Sequence, residues 1–253
     1  MLTRSNFGQY SFGEKISLER LKRIVVTNQE VTSQKRTPFF YGWWIVMISF
    51  LANFMNDGIG YWTFGLFIVP MSEAFGWTRT MTTGAFTLWL VVGGLVSPVI
   101  GPLVDKHGAR VIMAIGASIC AVAAIAISQI NALWQFYLLY GVVVGGSVPC
   151  FAGFILDTTI AKWFIRKRGR ATAIAVMGYS ASGIVLVPVL RLFMSRFGWQ
   201  MSWSALGVLT GVLIIPLALL FMRRRPEDSG LLPDGGKAEP EQVKARQHVL
   251  EQE

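Results

Sequence analysis

The chain has 253 residues, of which 53% are hydrophobic and 15% charged, and it carries a formal net charge of +9. That apolar excess overrides the one or two soluble domains that length alone would allow. The basic residues lie between apolar stretches, so the charge reads as membrane topology and attraction to anionic lipid, with no nucleic-acid partner expected.

Residues 1–41 read as a basic cytoplasmic tail. They hold no continuous apolar run of the kind a cleavable signal needs, so the tail is expected to be retained. Within it Ile16, Leu18, Leu21, Ile24 and Val25 alternate with Lys15, Arg20, Lys22 and Arg23. That pattern fits either a short interfacial helix or an unstructured basic tail.

Residues 42–222 hold apolar stretches from Trp43 to Val69, Met81 to Val104, Val111 to Ile130, Leu133 to Leu156, Ala171 to Leu190 and Met201 to Met222. A hydrocarbon core of roughly 30 Å needs roughly 20 helical residues, and each stretch is long enough. Asp57, in the first, is the only charged residue in any of them. The expected fold is therefore an all-α membrane protein of six transmembrane helices, with the lipid bilayer as its first partner. Twenty of the Lys and Arg residues fall in the tails and in the connections after the second and fourth stretches, against three (Arg79, Arg191, Arg196) on the opposite side. By the positive-inside bias both termini are expected in the cytoplasm of a plasma-membrane protein, with residues 223–253 as a cytoplasmic linker or tail.

The first span carries the polar residues most suited to meeting cargo. Asn53, Asn56, Asp57 and Gly60 share about one quadrant of a helix, with Tyr61 at its edge. A charge near mid-membrane costs roughly 2.5 to 3.5 kcal/mol even on insertion scales, so Asp57 must face the bundle interior or a watery cavity. Three roles fit it: a proton acceptor coupled to transport, a direct contact with cargo or a cation, or a structural hydrogen-bonding residue. Tyr179, in the fifth span, is a further candidate for the same pathway.

Small residues recur every four positions at Gly93, Ser97 and Gly101, and again at Gly141, Gly145, Pro149 and Gly153. Lipid supplies little hydrophobic force between helices, so such faces hold a bundle together by close backbone approach. They serve static packing or helices that rock against each other. Cys120 and Cys150 lie inside spans without ligand spacing, and His107 and His248 are the only histidines. No metal, cofactor, disulfide or catalytic residue is expected, and the chain does not read as an enzyme.

A repeat is visible at an offset of ninety residues, where Gly93, Pro98 and Gly108 match Gly183, Pro188 and Gly198. Three spans separate the copies, so the second crosses in the opposite sense, as in an inverted three-plus-three repeat. Chance similarity between apolar helices ending in Pro and Gly is the alternative.

The stretch Gly101, Asp105, Lys106, Gly108 and Arg110 resembles the loop signature of the major facilitator superfamily, with Ala109 in place of a usual basic residue. Trp163-Phe164, the cluster Arg166 to Arg170 and the small-residue ladder through Ala175, Gly178 and Ser182 are similar to the monocarboxylate-carrier and oxalate/formate branch. Tyr41-Gly42-Trp43, Phe75-Gly76-Trp77 and Phe197-Gly198-Trp199 extend the likeness, while Arg170 and Ala173 depart from it.

This resemblance implies a secondary transporter for a small organic anion, a mono- or dicarboxylate, moved with or without protons. It implies a gating role for Gly101, Asp105, Lys106, Gly108 and Arg110, with Asp157 as the partner to test for Arg110. A well-capped interhelical turn is the plain alternative. The family's arginine in span four is replaced by Gly141, and its span-one lysine falls near Tyr61 or Trp62. The chain thus resembles the N-terminal six-span half of a twelve-span carrier, expected to pair with a second half or as a homodimer. The alternative is a non-transporting half that acts in assembly or regulation.

Overall fold

A computed structural model describes residues 40–222. The amphipathic stretch at residues 15–25, the rest of the basic tail before residue 40 and the tail at residues 223–253 lie outside the described residues.

Every element among the described residues is helical. Helix α1 (Gly42–Asp57) passes into a π-helical segment (Gly58–Trp62) and then α2 (Phe64–Phe75), which Gly76 closes in the left-handed conformation at φ 70°. Helix α3 (Arg79–His107) begins at Thr78, whose hydroxyl accepts the Met81 N–H at 3.3 Å. Helix α4 (Ala109–Ile127) follows after a single residue. The next crossing is composite: α5 (Leu133–Phe136), a π-helical run (Tyr137–Val144), α6 (Gly145–Ser147), a 3-10 turn (Val148–Cys150) and α7 (Phe154–Trp163). Helix α8 (Arg168–Phe221) completes the described chain.

Among the described residues four helical stretches are long and apolar enough to cross a membrane: Arg79–His107, Ala109–Ile127, Leu133–Trp163 and Arg168–Phe221. The expected first span is divided by its π-helical segment, so neither piece alone is that long. The expected fifth and sixth spans lie together in α8, whose 54 residues are interrupted by non-helical Gly198 at φ 80° and ψ 173°. At 1.5 Å per residue α8 would run roughly 80 Å if straight, far beyond one bilayer core. Gly108 has a closely related conformation, φ 85° and ψ 147°, between α3 and α4. The sequence suggests a loop over 105–110. Instead α3 continues through His107, and Gly108 alone makes the corner because its positive φ spares it the side-chain clash that other residues meet.

Helix α8 packs against α1 and α4, and α3 packs against the Tyr137–Val144 run and α6. These contacts are close because glycine is the facing residue. A methyl group on Gly178 would overlap the Phe50 carbonyl of α1, and one on Gly207 would lie 2.7 Å from the Ala121 carbonyl of α4. Aromatic rings fill the centre: Tyr140 stacks on Phe64 at 5.1 Å and on Phe136 at 5.2 Å, and Phe67 stacks on Trp203 at 4.4 Å.

Candidate functional site

The candidate site lies where two crossings abandon regular helix. A break in the α-helical ladder frees carbonyls and N–H groups that hydrocarbon cannot satisfy, so it persists only where side chains take them up. Around the Gly58–Trp62 segment the Thr63 hydroxyl donates to the Gly58 carbonyl at 2.5 Å, and the buried Tyr140 hydroxyl donates to the Gly60 carbonyl at 2.5 Å. The Trp62 ring N–H donates to the Tyr179 carbonyl at 3.0 Å.

The second break follows from Pro149, which lacks a donor and crowds the preceding turn, and from Gly153 at φ 63° and ψ −124°. Asn53, 1% exposed, joins this break to its surroundings. Its amide donates to the Ala175 carbonyl of α8 at 3.0 Å, and its Oδ1 accepts the Gly153 N–H at 3.3 Å. One side chain of α1 therefore bonds to two other crossings.

Asn56 and Asp57 stand one turn further along. The Asn56 amide donates to Asp57 Oδ1 at 3.3 Å, while Asn56 Oδ1 is buried without a hydrogen-bond partner. Tyr179 lies beside Gly153 and within electrostatic reach of both Asp57 and Asp157. The fold thus gathers Asn53, Asn56, Asp57, Tyr179 and Asp157 around one helix break. Tyr61 is not part of that group: it is half exposed and packs edge-on to Trp62 at 5.3 Å. A cavity of about 230 Å³ adjoins the group, bordered by Asn56, Trp89, Ser97, Gly145 and Gly153, with no Lys, Arg or His among the described residues of its wall.

The other candidate set gathers at the α3–α4 corner. Asp105 and Lys106 sit in the last turn of α3 and Arg110 in the first turn of α4, all exposed. Asp105 pairs with Lys162 of α7 at 3.6 Å. The cation facing Asp157 is Arg168, and among the described residues no ion pair joins Asp157 to Arg110. At Gly101 a methyl group would lie 3.6 Å from the Phe154 ring, which is ordinary contact, so this glycine is not needed for close approach in this arrangement.

Sequence reasoning passed over Trp89, Tyr140 and Thr63. The available signal was a large aromatic or hydroxyl side chain inside a charge-free span, where a polar tip needs a partner.

Long apolar helices, breaks satisfied by side chains and polar groups gathered at those breaks define a polytopic helical membrane protein. The chain belongs to the Major Facilitator Superfamily, which its residues 43–251 match. It is 26% identical to an uncharacterized MFS-type transporter, YcxA, of Bacillus subtilis, over 73% of this chain and 45% of that protein. It is 28% identical to human monocarboxylate transporter 11, over 71% of this chain and 39% of the relative. It is 26% identical to the oxalate:formate antiporter of Oxalobacter formigenes, over 80% of this chain and 47% of the relative. The chain thus spans less than half the length of these relatives, which are transporters and not enzymes.

Proposed function

We propose that this chain is the N-terminal six-span half of a secondary transporter for a small organic anion, a mono- or dicarboxylate, moved through the bilayer with or without protons. The observation that carries this reading is the cluster of Asn53, Asn56, Asp57 and Tyr179 at a helix break beside a cavity, inside apolar stretches whose only charged residue is Asp57. Polar groups at membrane depth mark pathways, and irregular backbone there lines sites. The relatives' activities, monocarboxylate transport and oxalate:formate exchange, supply the cargo class.

Six crossings, from residues 42 to 222, are supported by the two glycine corners at Gly108 and Gly198, ninety residues apart, with matching positive φ. The repeat is supported further by its breaks, since Gly58–Trp62 and the irregular stretch beginning at Val148 stand at the same offset. Span five against span one and span two against span four are equivalent pairs in an inverted repeat, and both occur here. Residues 1–41 and 223–253 lie on the cytoplasmic side of the plasma membrane in this reading, and a second half supplies the other wall of the pathway; uptake by the chain alone would assign that wall to a second copy instead.

Reconstitution of the chain with labelled mono- and dicarboxylates tests the proposal. The expected result is specific carboxylate binding by the chain, no uptake by the chain alone, and uptake altered by Asp57→Asn once a second half is present. Partner binding with neither carboxylate binding nor uptake would replace the carrier by an assembly or regulatory protein. A thiol at Lys167→Cys, with Cys120 and Cys150 removed, is expected to stay shielded from an impermeant reagent in intact cells. Its labelling from outside would overturn the orientation.

A further inference from the structure

One face of the first crossing is left open by its neighbours, and it is aromatic around a single carboxylate. Phe50, Phe54 and Asp57 follow at intervals of four and three residues, which sets them on one side of α1, and all three are partly exposed. Tyr61 and Trp62 stand in the next turn, 50% and 43% exposed. The Phe50 and Phe54 rings stack at 6.4 Å, and Tyr61 meets Trp62 edge-on at 5.3 Å and Phe86 of α3 at 5.7 Å. Trp62 is held in place by its N–H on the Tyr179 carbonyl and by Gly183, where a methyl group would lie 2.8 Å from its ring. The rings therefore form a fixed surface before any ligand arrives.

Asp57 lacks a counter-charge. It accepts the Asn56 amide at 3.3 Å, and among the described residues no Lys, Arg or His pairs with it. The apolar stretches contain no Lys or Arg at all. A charge at membrane depth is too costly to set against lipid, so the side of α1 that carries Asp57 faces a watery pathway, and the rings on that side face it too. Aromatic faces are electron-rich and attract cations, Trp most strongly, and a carboxylate adds its full negative charge. The whole open face thus selects one sign of charge.

We propose that this face, from Phe50 to Trp62, binds a quaternary ammonium group, and that the cargo is a zwitterion in which one small molecule carries that group and a carboxylate. This rests on the carrier reading above and deepens it by naming the cargo class: a carboxylate alone would meet only Asp57 and ring faces here, whereas the ammonium end meets its complement. The rings offer electrons but no acceptor oxygen for an N–H, so a fully methylated nitrogen, which has no N–H to satisfy, fits them better than a primary amine.

The test is equilibrium binding to the purified chain in nanodiscs at one fixed pH, with two labelled ligands of the same shape. One is 3-(trimethylammonio)propionate; the other is 4,4-dimethylpentanoate, in which carbon replaces the charged nitrogen. Both carry the same carboxylate, so their difference reads the cation alone. The zwitterion is expected to bind at least about tenfold more tightly. Asp57→Asn should reduce that preference by about tenfold, and Phe54→Leu and Tyr61→Leu by about threefold each. The wild-type comparison needs no variant, so a misfolded variant does not decide the matter.

Equal affinity for the two ligands, or tighter binding of the uncharged tail, would overturn the proposal. So would the absence of saturable binding of the zwitterion, with Asp57 then left to a basic residue of a second half. If the zwitterion is preferred while liposomes containing a second half take up no carboxylate of either kind, the carrier reading falls and this site stands. Uptake of both ligands at equal affinity has the opposite consequence.

Discussion

The two broken crossings and the unbroken ones use the same apolar alphabet to different ends. Helix α4 is continuous, with Ala121, Ala124 and Ile125 against Gly207 of α8, and its Ser118 hydroxyl stays within the helix, on the Ala114 carbonyl. The crossings that contain Gly58–Trp62 and Val148–Cys150 instead bring Asn53, Thr63 and Tyr140 to bear on freed backbone groups. The difference teaches where a site can exist in this bundle. A break costs buried hydrogen bonds, so it survives only with polar side chains around it, and the cavity lies along one such break, from Val148 to Gly153.

The sharpest way to break this comparison is to disturb the packing that holds both kinds of crossing together. Gly178→Leu drives a side chain into the Phe50 carbonyl and should force α1 away from α8. The expected loss is about 3 kcal/mol, at the upper end for overpacking, read as a lowered thermal midpoint in detergent. A methyl group on Gly65 would meet nothing within 4 Å, so that position should accept alanine without loss.

A smaller and more pointed test compares one substitution at two tyrosines a turn apart. Tyr140→Phe leaves the Gly60 carbonyl buried without its donor, at an expected cost of about 1–3 kcal/mol. Tyr137→Phe removes an exposed hydroxyl from the Met81 carbonyl, 2.7 Å away, and should cost less than about 1 kcal/mol. Equal melting shifts for the two variants would show that the break draws nothing special from Tyr140.

The smallest effect on stability is expected at the α3–α4 corner. Asp105→Ala removes a solvent-exposed pair with Lys162 and should change stability by about 0–1 kcal/mol. In a transport-competent assembly the uptake rate should nonetheless fall, with equilibrium carboxylate binding kept. A large loss of binding by a folded Asp105→Ala protein would count against a gating role.

Much of the architecture was legible because a membrane imposes simple rules. Apolar length placed the helices, since Met81 to Val104 lies inside α3, and the stretch Val111 to Ile130 follows α4 as far as its end at Ile127. The polar row was legible in part: Asn53, Asn56 and Asp57 gather as their helical spacing suggests. Tyr61 does not join them, because the π-helical segment changes the residues per turn at that point and sends its ring outward. The expected charge pair of Arg110 with Asp157 is replaced here by Lys162 with Asp105 and by Arg168 facing Asp157. Charge sign along a chain does not say which cation the packing of α7 and α8 brings near.

Sequence by itself determined that this chain is a helical membrane protein and which residues stay apolar, because the cost of placing charge or unpaired backbone in hydrocarbon acts on every residue locally. It also marked turns at Gly108 and Gly198, since glycine accepts positive φ, whereas Pro149 read only as one of a row of packing residues and its break appeared in the structure. Only the tertiary structure decided that the Tyr140 hydroxyl meets Gly60, that Asn53 bridges to Gly153 and Ala175, and that Asn56 Oδ1 and the Trp89 N–H are buried without a partner. Those facts depend on the distances between helices far apart in the chain, and such distances are set by how small side chains let backbones approach.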